Sequence, residues 1–233
     1  MRAILSSIKL LLFGVWSFLA ILLGGFLNLI RVPNGMEWVA KYFWSPVALF
    51  VMQARVKTEG FDKIDPKENY LIMANHNSFI DIPILFKTLP FYTYFIAKKE
   101  LRKIRLLGWY IKAYGMIYID RSDRTKAKQS IARAGELIRD GKHVIIFPEG
   151  TKSKDGHLGP FKKGGFHLAA QANVPILPIK LHGARKVWPN KQPFRLGRGK
   201  IRVIAADPIS PEVLKDMELD NRIAYVRNII DNL

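Results

Sequence analysis

Between Leu10 and Ile30 the chain reads LLLFGVWSFLAILLGGFLNLI, twenty-one residues without a charge. As an α-helix such a run is about 31 Å long, close to the hydrocarbon thickness of a bilayer, so it is able to span one or to lie in its interface. A core helix of a soluble protein rarely needs so long an uncharged run. Arg2 and Lys9 flank it as the basic end of a signal peptide would. The apolar stretch outlasts a usual signal core, however, and no small-x-small cleavage site closes it, which favours a retained membrane element. A second uncharged stretch, Tyr42 to Ala54, has thirteen residues and is too short to span, although it suits an interfacial or re-entrant helix. Trp38, Tyr42 and Trp44 are the amphipathic rings favoured at headgroup level.

The remaining length suits one full-sized core, since the chain has 233 residues, 49% of them hydrophobic and 24% charged. The formal charge of +18 is unevenly placed: Lys152 to Arg202 holds twelve Lys or Arg against a single acid, Asp155. A local basic face points to polyanionic partners, namely nucleic acid, an anionic bilayer or phosphorylated small molecules. The aromatics lie mainly in apolar runs and are not interleaved with the basic residues, which speaks against a nucleic-acid stacking platform. Cysteine is absent, which removes disulfides, thiolate nucleophiles and cysteine-ligated metals.

Beyond residue 68, short apolar runs alternate with helical periodicity. Strands are expected at Asn69 to Ala74, Tyr92 to Ala97, Met116 to Asp120, His143 to Phe147, Ile176 to His182 and Ile201 to Ala205. The clearest helix is Arg124 to Asp140, where Ala127, Ile131, Ala134 and Ile138 recur at helical spacing and Gly141 follows as a stop. This order predicts an α/β fold, a mixed, largely parallel sheet flanked by helices. The expected organisation is a hydrophobic helical membrane element over residues 1–57 and an α/β domain over 58–233. Ligands of such sheets collect at the carboxyl ends of the strands.

Four of those ends carry reactive or charged groups. NHNSFID, Asn75 to Asp81, follows the first run. On one continuous helix a separation of five would set His76 and Asp81 about 140° apart. If the chain instead leaves a strand at Ala74, turns and starts a helix near Ser78 or Asp81, both side chains enter one crevice, and Asp81 fixes the tautomer of a histidine base. The bland alternative makes His76 a loop residue and Asp81 a helix cap before Pro83. FPEGTKSKDG, Phe147 to Gly156, opens a strand into a Gly-rich, lysine-bearing loop suited to an anion or to ordinary solvent exposure. GMIYIDR ends a third strand on Arg121, a natural partner of phosphate, and Lys98 and Lys99 follow a fourth. No Gly-x-Ser-x-Gly elbow occurs, and the histidines at 76, 143, 157, 167 and 182 form no His-Glu-x-x-His, so neither a serine nucleophile at an elbow nor a metal site is expected. Capping duty explains Ser78 more simply than nucleophilic duty.

Together these blocks resemble the phospholipid and glycerol acyltransferase family, most closely its bacterial 1-acyl-sn-glycerol-3-phosphate acyltransferases. His76 to Asp81 is similar to the family's His-x-x-x-x-Asp block, Gly115 to Arg121 to Gly-x-x-Phe-Ile-Asp-Arg, Phe147 to Thr151 to Phe-Pro-Glu-Gly-Thr, and Val174 to Pro178 to Val-Pro-x-x-Pro. Tyr118 stands in place of Phe, and Lys152 in place of the Arg that usually follows the Thr, exchanging a planar fork for a point charge. The resemblance implies a glycerolipid acyltransferase fold with His76 and Asp81 as catalytic residues. It assigns Lys99, Arg121, Glu149, Gly150, Thr151 and Lys152 to substrate binding. It implies no cofactor, with acyl-CoA or acyl carrier protein as co-substrate, and lysophosphatidic acid as the lipid partner; glycerol 3-phosphate or a lyso-amino-acid lipid is the alternative acceptor, and a non-catalytic basic membrane-anchored binding module is the rival reading. The expected location is an anionic membrane surface at the cytoplasmic face of the inner membrane, with no nucleic acid.

Overall fold

In the computed structural model, which describes residues 2–120 and 123–233, the uncharged run lies inside one long helix, α1 (Arg2–Leu29). Short helix α2 (Gly35–Trp38), a π-helical turn (Val39–Trp44) and α3 (Ser45–Val51) follow. The chain then alternates: β1 (Ala54–Glu59), β2 (Leu71–Ala74), α4 (Asp81–Thr88), β3 (Thr93–Lys98), α5 (Arg105–Ala113), β4 (Ile117–Ile119), α6 (Arg124–Arg139), β5 (His143–Ile146), α7 (Gly164–Ala172), β6 (Ile176–His182), α8 (Ala184–Val187), β7 (Gly199–Ala205), α9 (Pro211–Lys215) and α10 (Leu219–Asn232).

The seven strands form one sheet in the order β1-β7-β6-β2-β5-β3-β4. From β6 to β4 every neighbour is parallel; β7 turns back antiparallel to β6, and β1 joins its outer edge. The mixed, largely parallel α/β sheet expected from the sequence is therefore the observed one. All four residues of the central strand β2 are buried, the pattern of a strand covered on both faces. α6 is the helix that the periodicity predicts: Ala134 and Ile138 are fully buried, and Asp123 caps the start by accepting from Thr125 N and Lys126 N.

The departures lie before residue 60. The division expected after residue 57 falls inside β1, which pairs Ala54 to Glu59 with Gly199 to Ile204. Arg55, Lys57 and Glu59 alternate along this edge strand, so it has no apolar run to signal it, and its partner is far away in sequence. Trp38 and Tyr42 are exposed as interfacial rings should be, whereas Trp44 turns inward: its Nε1 donates to Ser17 Oγ at 2.9 Å and its ring packs on Phe13 and Phe86.

α1 has two unlike sides. Ile4, Ile8, Leu11, Val15, Phe18, Leu22, Phe26 and Leu29 recur at spacings of three and four and are all exposed. The opposite side is fastened to the globular unit at both ends. Near its start Lys9 Nζ donates to Gln53 Oε1 at 3.0 Å and to Gly197 O at 2.8 Å. Near its end Gly24 and Gly25 lie so close to Tyr110 and Trp109 of α5 that an added Cβ would stand 2.8 and 2.7 Å from those rings.

Candidate active site

β2 stops at Ala74 because the next residue satisfies its sheet neighbour by side chain. Asn75 Oδ1 accepts from Leu181 N at 2.7 Å and its Nδ2 donates to Leu181 O at 3.1 Å, so the amide mimics one more ladder residue and frees the backbone to turn. The turn ends where α4 starts, at Asp81. Its carboxylate is fully buried, and Oδ2 accepts from Asn77 N at 2.7 Å, Ser78 N at 2.8 Å and His76 Nδ1 at 2.9 Å. The aspartate thus closes the turn instead of capping α4. Ser78, expected as a cap, is buried and donates from Oγ to Trp188 O at 2.8 Å.

His76 is held on three sides. Its Nδ1–H is committed to Asp81, its ring stacks on Phe147 at 4.0 Å between centroids, and its backbone N–H donates to Glu149 Oε1 at 2.9 Å. A neutral imidazole that donates from Nδ1 carries its lone pair on Nε2, the nitrogen left to accept a proton.

Glu149 and Lys152 come from the loop after β5, the neighbour of β2. Phe147 O accepts from Gly150 N at 3.0 Å, which makes a tight turn with Pro148 second, and Gly150 takes the left-handed φ of +75°. Glu149 is buried, and burial raises its carboxyl above the usual range against two backbone bonds that favour the charge. Those bonds occupy both oxygens, since Oε2 accepts from Gly159 N at 2.9 Å. Glu149 therefore joins the His76 turn to the far end of the loop. Lys152 Nζ lies over the exposed Phe79 ring, and burial lowers its pKa to about 8, against the pull of the Asp81 charge. Ser153 N donates to His76 O at 2.8 Å, and Asn190 Nδ2 ties Asn77 O to Ser153 O at 2.7 and 2.9 Å.

His76, Asp81, Glu149, Gly150, Thr151 and Lys152 are thus brought together at the carboxyl edge of β2 and β5. Lys99 stands one strand further, after β3, where Nζ pairs with Asp120 at 2.7 Å. Arg121, two residues past the end of β4 in the sequence, lies outside the described residues. Sequence reasoning missed Asn75, Ser153 and Asn190, whose partners are remote in the chain and leave no spacing to read. Among the described residues no cluster of His, Asp and Glu is arranged to hold a metal ion, and His143, at the start of β5, is lowered to about 4 by burial.

Residues 55–182 match the Acyltransferase family model, more than half of the chain. A chloroplastic 1-acyl-sn-glycerol-3-phosphate acyltransferase of Brassica napus is 34% identical over 83% of this chain and 56% of its own length. The 1-acyl-sn-glycerol-3-phosphate acyltransferase of Saccharomyces cerevisiae is 31% identical over 88% of this chain and 69% of its own. The chain spans about half the length of the plant relatives that it matches. Among solved structures, the 1-acyl-sn-glycerophosphate acyltransferase PlsC of Thermotoga maritima aligns with a TM-score of 0.84 and 28% identity, covering 100% of this chain and 95% of that one.

Proposed function

The chain belongs to the acyltransferase family, and from that premise we propose that it transfers a fatty acyl group from an acyl thioester to the sn-2 hydroxyl of lysophosphatidic acid, giving phosphatidic acid. The observation that carries this reading is the bond from His76 Nδ1 to the fully buried Asp81 carboxylate, at 2.9 Å, at the carboxyl edge of a parallel sheet and beside a lysine-bearing loop.

In this mechanism the acceptor hydroxyl gives its proton to His76 Nε2 as its oxygen attacks the thioester carbonyl. Asp81 stabilises the imidazolium that results. The tetrahedral adduct then collapses, the C–S bond breaks, and the imidazolium returns its proton to the departing thiolate. Direct transfer suits a chain without cysteine in which the hydroxyl of Ser78, two residues from His76, is buried and donates to Trp188 O. One positioned base suffices, because a thioester is already activated. Lys152 supplies a cation for the acceptor's phosphate on the Asp81 side of the crevice. Arg121 and Lys99 are assigned to the same phosphate. No cofactor is used, and acyl-CoA or acyl carrier protein is the donor.

The lipid acceptor is met at a bilayer. α1 is long and apolar enough to cross one, yet a helix fastened at both ends to a strongly basic globular unit is better suited to lie in one leaflet, with its outer stripe in the acyl chains. The exposed Trp109 of α5 lies against Gly25 and adds apolar surface at that end of the helix. The leaflet in this reading is the cytoplasmic one of the inner membrane, where soluble thioesters are available. Detergent-purified protein given labelled acyl-CoA or acyl carrier protein with lysophosphatidate should form labelled phosphatidate. Formation of a different lipid, with lysophosphatidate untouched, would remove the acceptor assignment.

A further inference from the structure

The loop of residues 188–198, between α8 and β7, is fastened in two directions. Toward the site, Trp188 O accepts from Ser78 Oγ, and Asn190 Nδ2 donates to Asn77 O and Ser153 O. Toward α1, Leu196 N donates to Ser6 Oγ at 3.0 Å and Gly197 O accepts from Lys9 Nζ at 2.8 Å. Between these fastenings the loop projects Phe194, 76% exposed, among the exposed cations Lys191, Arg195 and Arg198. Among the described residues none of the three cations is within ion-pair distance of a carboxylate.

A single exposed phenylalanine is ordinary. This one is joined, two and three residues on, to the first turns of α1, whose outward side there is Ile4, Ile8 and Leu11. An apolar ring among cations without acidic partners, continuous with an apolar helix face, has the chemistry of a contact with an anionic leaflet: the ring enters the interface and the cations meet headgroup charge.

We propose that loop 188–198 is a second membrane contact, in which Phe194 enters the interface beside α1 while Lys191, Arg195 and Arg198 take anionic lipid headgroups. The inference rests on the membrane reading of α1 and adds to it a preference for lipid charge, which the uncharged outer stripe of α1 does not supply. It also sets the mouth of the site, through Asn190, at the surface from which the acceptor arrives. An acidic protein is the competing occupant of a basic face. Phe194 and the continuity with α1 favour the bilayer.

Because the chain has no cysteine, one introduced thiol carries an environment-sensitive fluorophore at a unique position. In the full chain, Gln192→Cys reports on the loop, Leu11→Cys on α1, and Val213→Cys on α9, which packs against α7. With phosphatidylcholine vesicles containing phosphatidylglycerol, the Gln192 and Leu11 labels should move to the blue and the Val213 label should not. With phosphatidylcholine alone, the Gln192 response should weaken while that of Leu11 persists. Each of Lys191→Gln, Arg195→Gln and Arg198→Gln should raise the vesicle concentration for half the loop signal about fivefold, the equivalent of ~1 kcal/mol per cation. Phe194→Ser should abolish the loop signal and leave that of Leu11. A Gln192 label that stays in water while the Leu11 label is buried overturns the loop contact alone. A Gln192 label that answers purified acidic carrier protein but not vesicles also overturns it, and a Leu11 label that stays in water overturns the membrane reading with it.

Discussion

Glu149→Gln separates a residue that builds the site from one that touches substrate. The carboxylate bridges two backbone donors, His76 N and Gly159 N, each at 2.9 Å. A glutamine of the same shape offers one acceptor, so one N–H loses its partner and meets an amide NH2 instead. An orphaned buried donor costs about 1–3 kcal/mol. The carboxylate's own burial, visible in its raised pKa, offsets part of this. A net loss of about 0.5–2 kcal/mol corresponds to a drop in melting temperature of roughly 1–8 °C for a chain of this size. The bond at risk holds His76 itself, so turnover should fall at least about tenfold while the KM for acceptor stays near its original value. Thermal unfolding, with kcat and KM measured on lysophosphatidate, gives both readouts. A variant that melts as the parent does and keeps its kcat, but loses acceptor affinity, would refute the bridging role and return Glu149 to the substrate.

Other perturbations test separate links. Asp81→Asn keeps the acceptor for Asn77 N and Ser78 N but removes the charge facing His76, and kcat should fall at least about tenfold, the worth of a charge-assisted bond. Lys152 in the folded protein loses its proton near pH 8, below its usual value. Its charge, and with it the hold on the acceptor's phosphate, is present below that pH and lost above it, so KM for lysophosphatidate should rise above pH 8 and Lys152→Arg should flatten that rise. For stability the sign is opposite: the unfolded lysine keeps its proton to higher pH, so this group favours the fold increasingly from about pH 8 to its ordinary range. Gly183 holds φ at +87° and an added Cβ would meet the Lys200 carbonyl, so Gly183→Ala should cost at least about 2 kcal/mol in denaturant unfolding.

The sheet and the chemistry at its edge were legible because both are local. β2, β5 and β6 are short apolar runs bounded by turn residues, and NHNSFID carries its acid and base within one turn of chain. What stayed hidden was long-range or two-faced. β1 is an alternating edge strand whose partner lies far along the chain. Lys9 reads as a membrane flank because it precedes an apolar run, yet it faces inward and ties α1 to Gln53 and Gly197. The family resemblance assigns Glu149 to substrate binding, whereas both its oxygens serve the backbone. In each case the missing information is which way the side chain points.

The proposed chemistry depends on His76, oriented by Asp81, removing the proton from the attacking hydroxyl. The most direct measurement is single-turnover acyl transfer to lysophosphatidate by His76→Ala, alongside acceptor binding by the same protein. Transfer should slow by at least about a hundredfold with acceptor binding intact; transfer at the parent's rate would show that His76 is not the base.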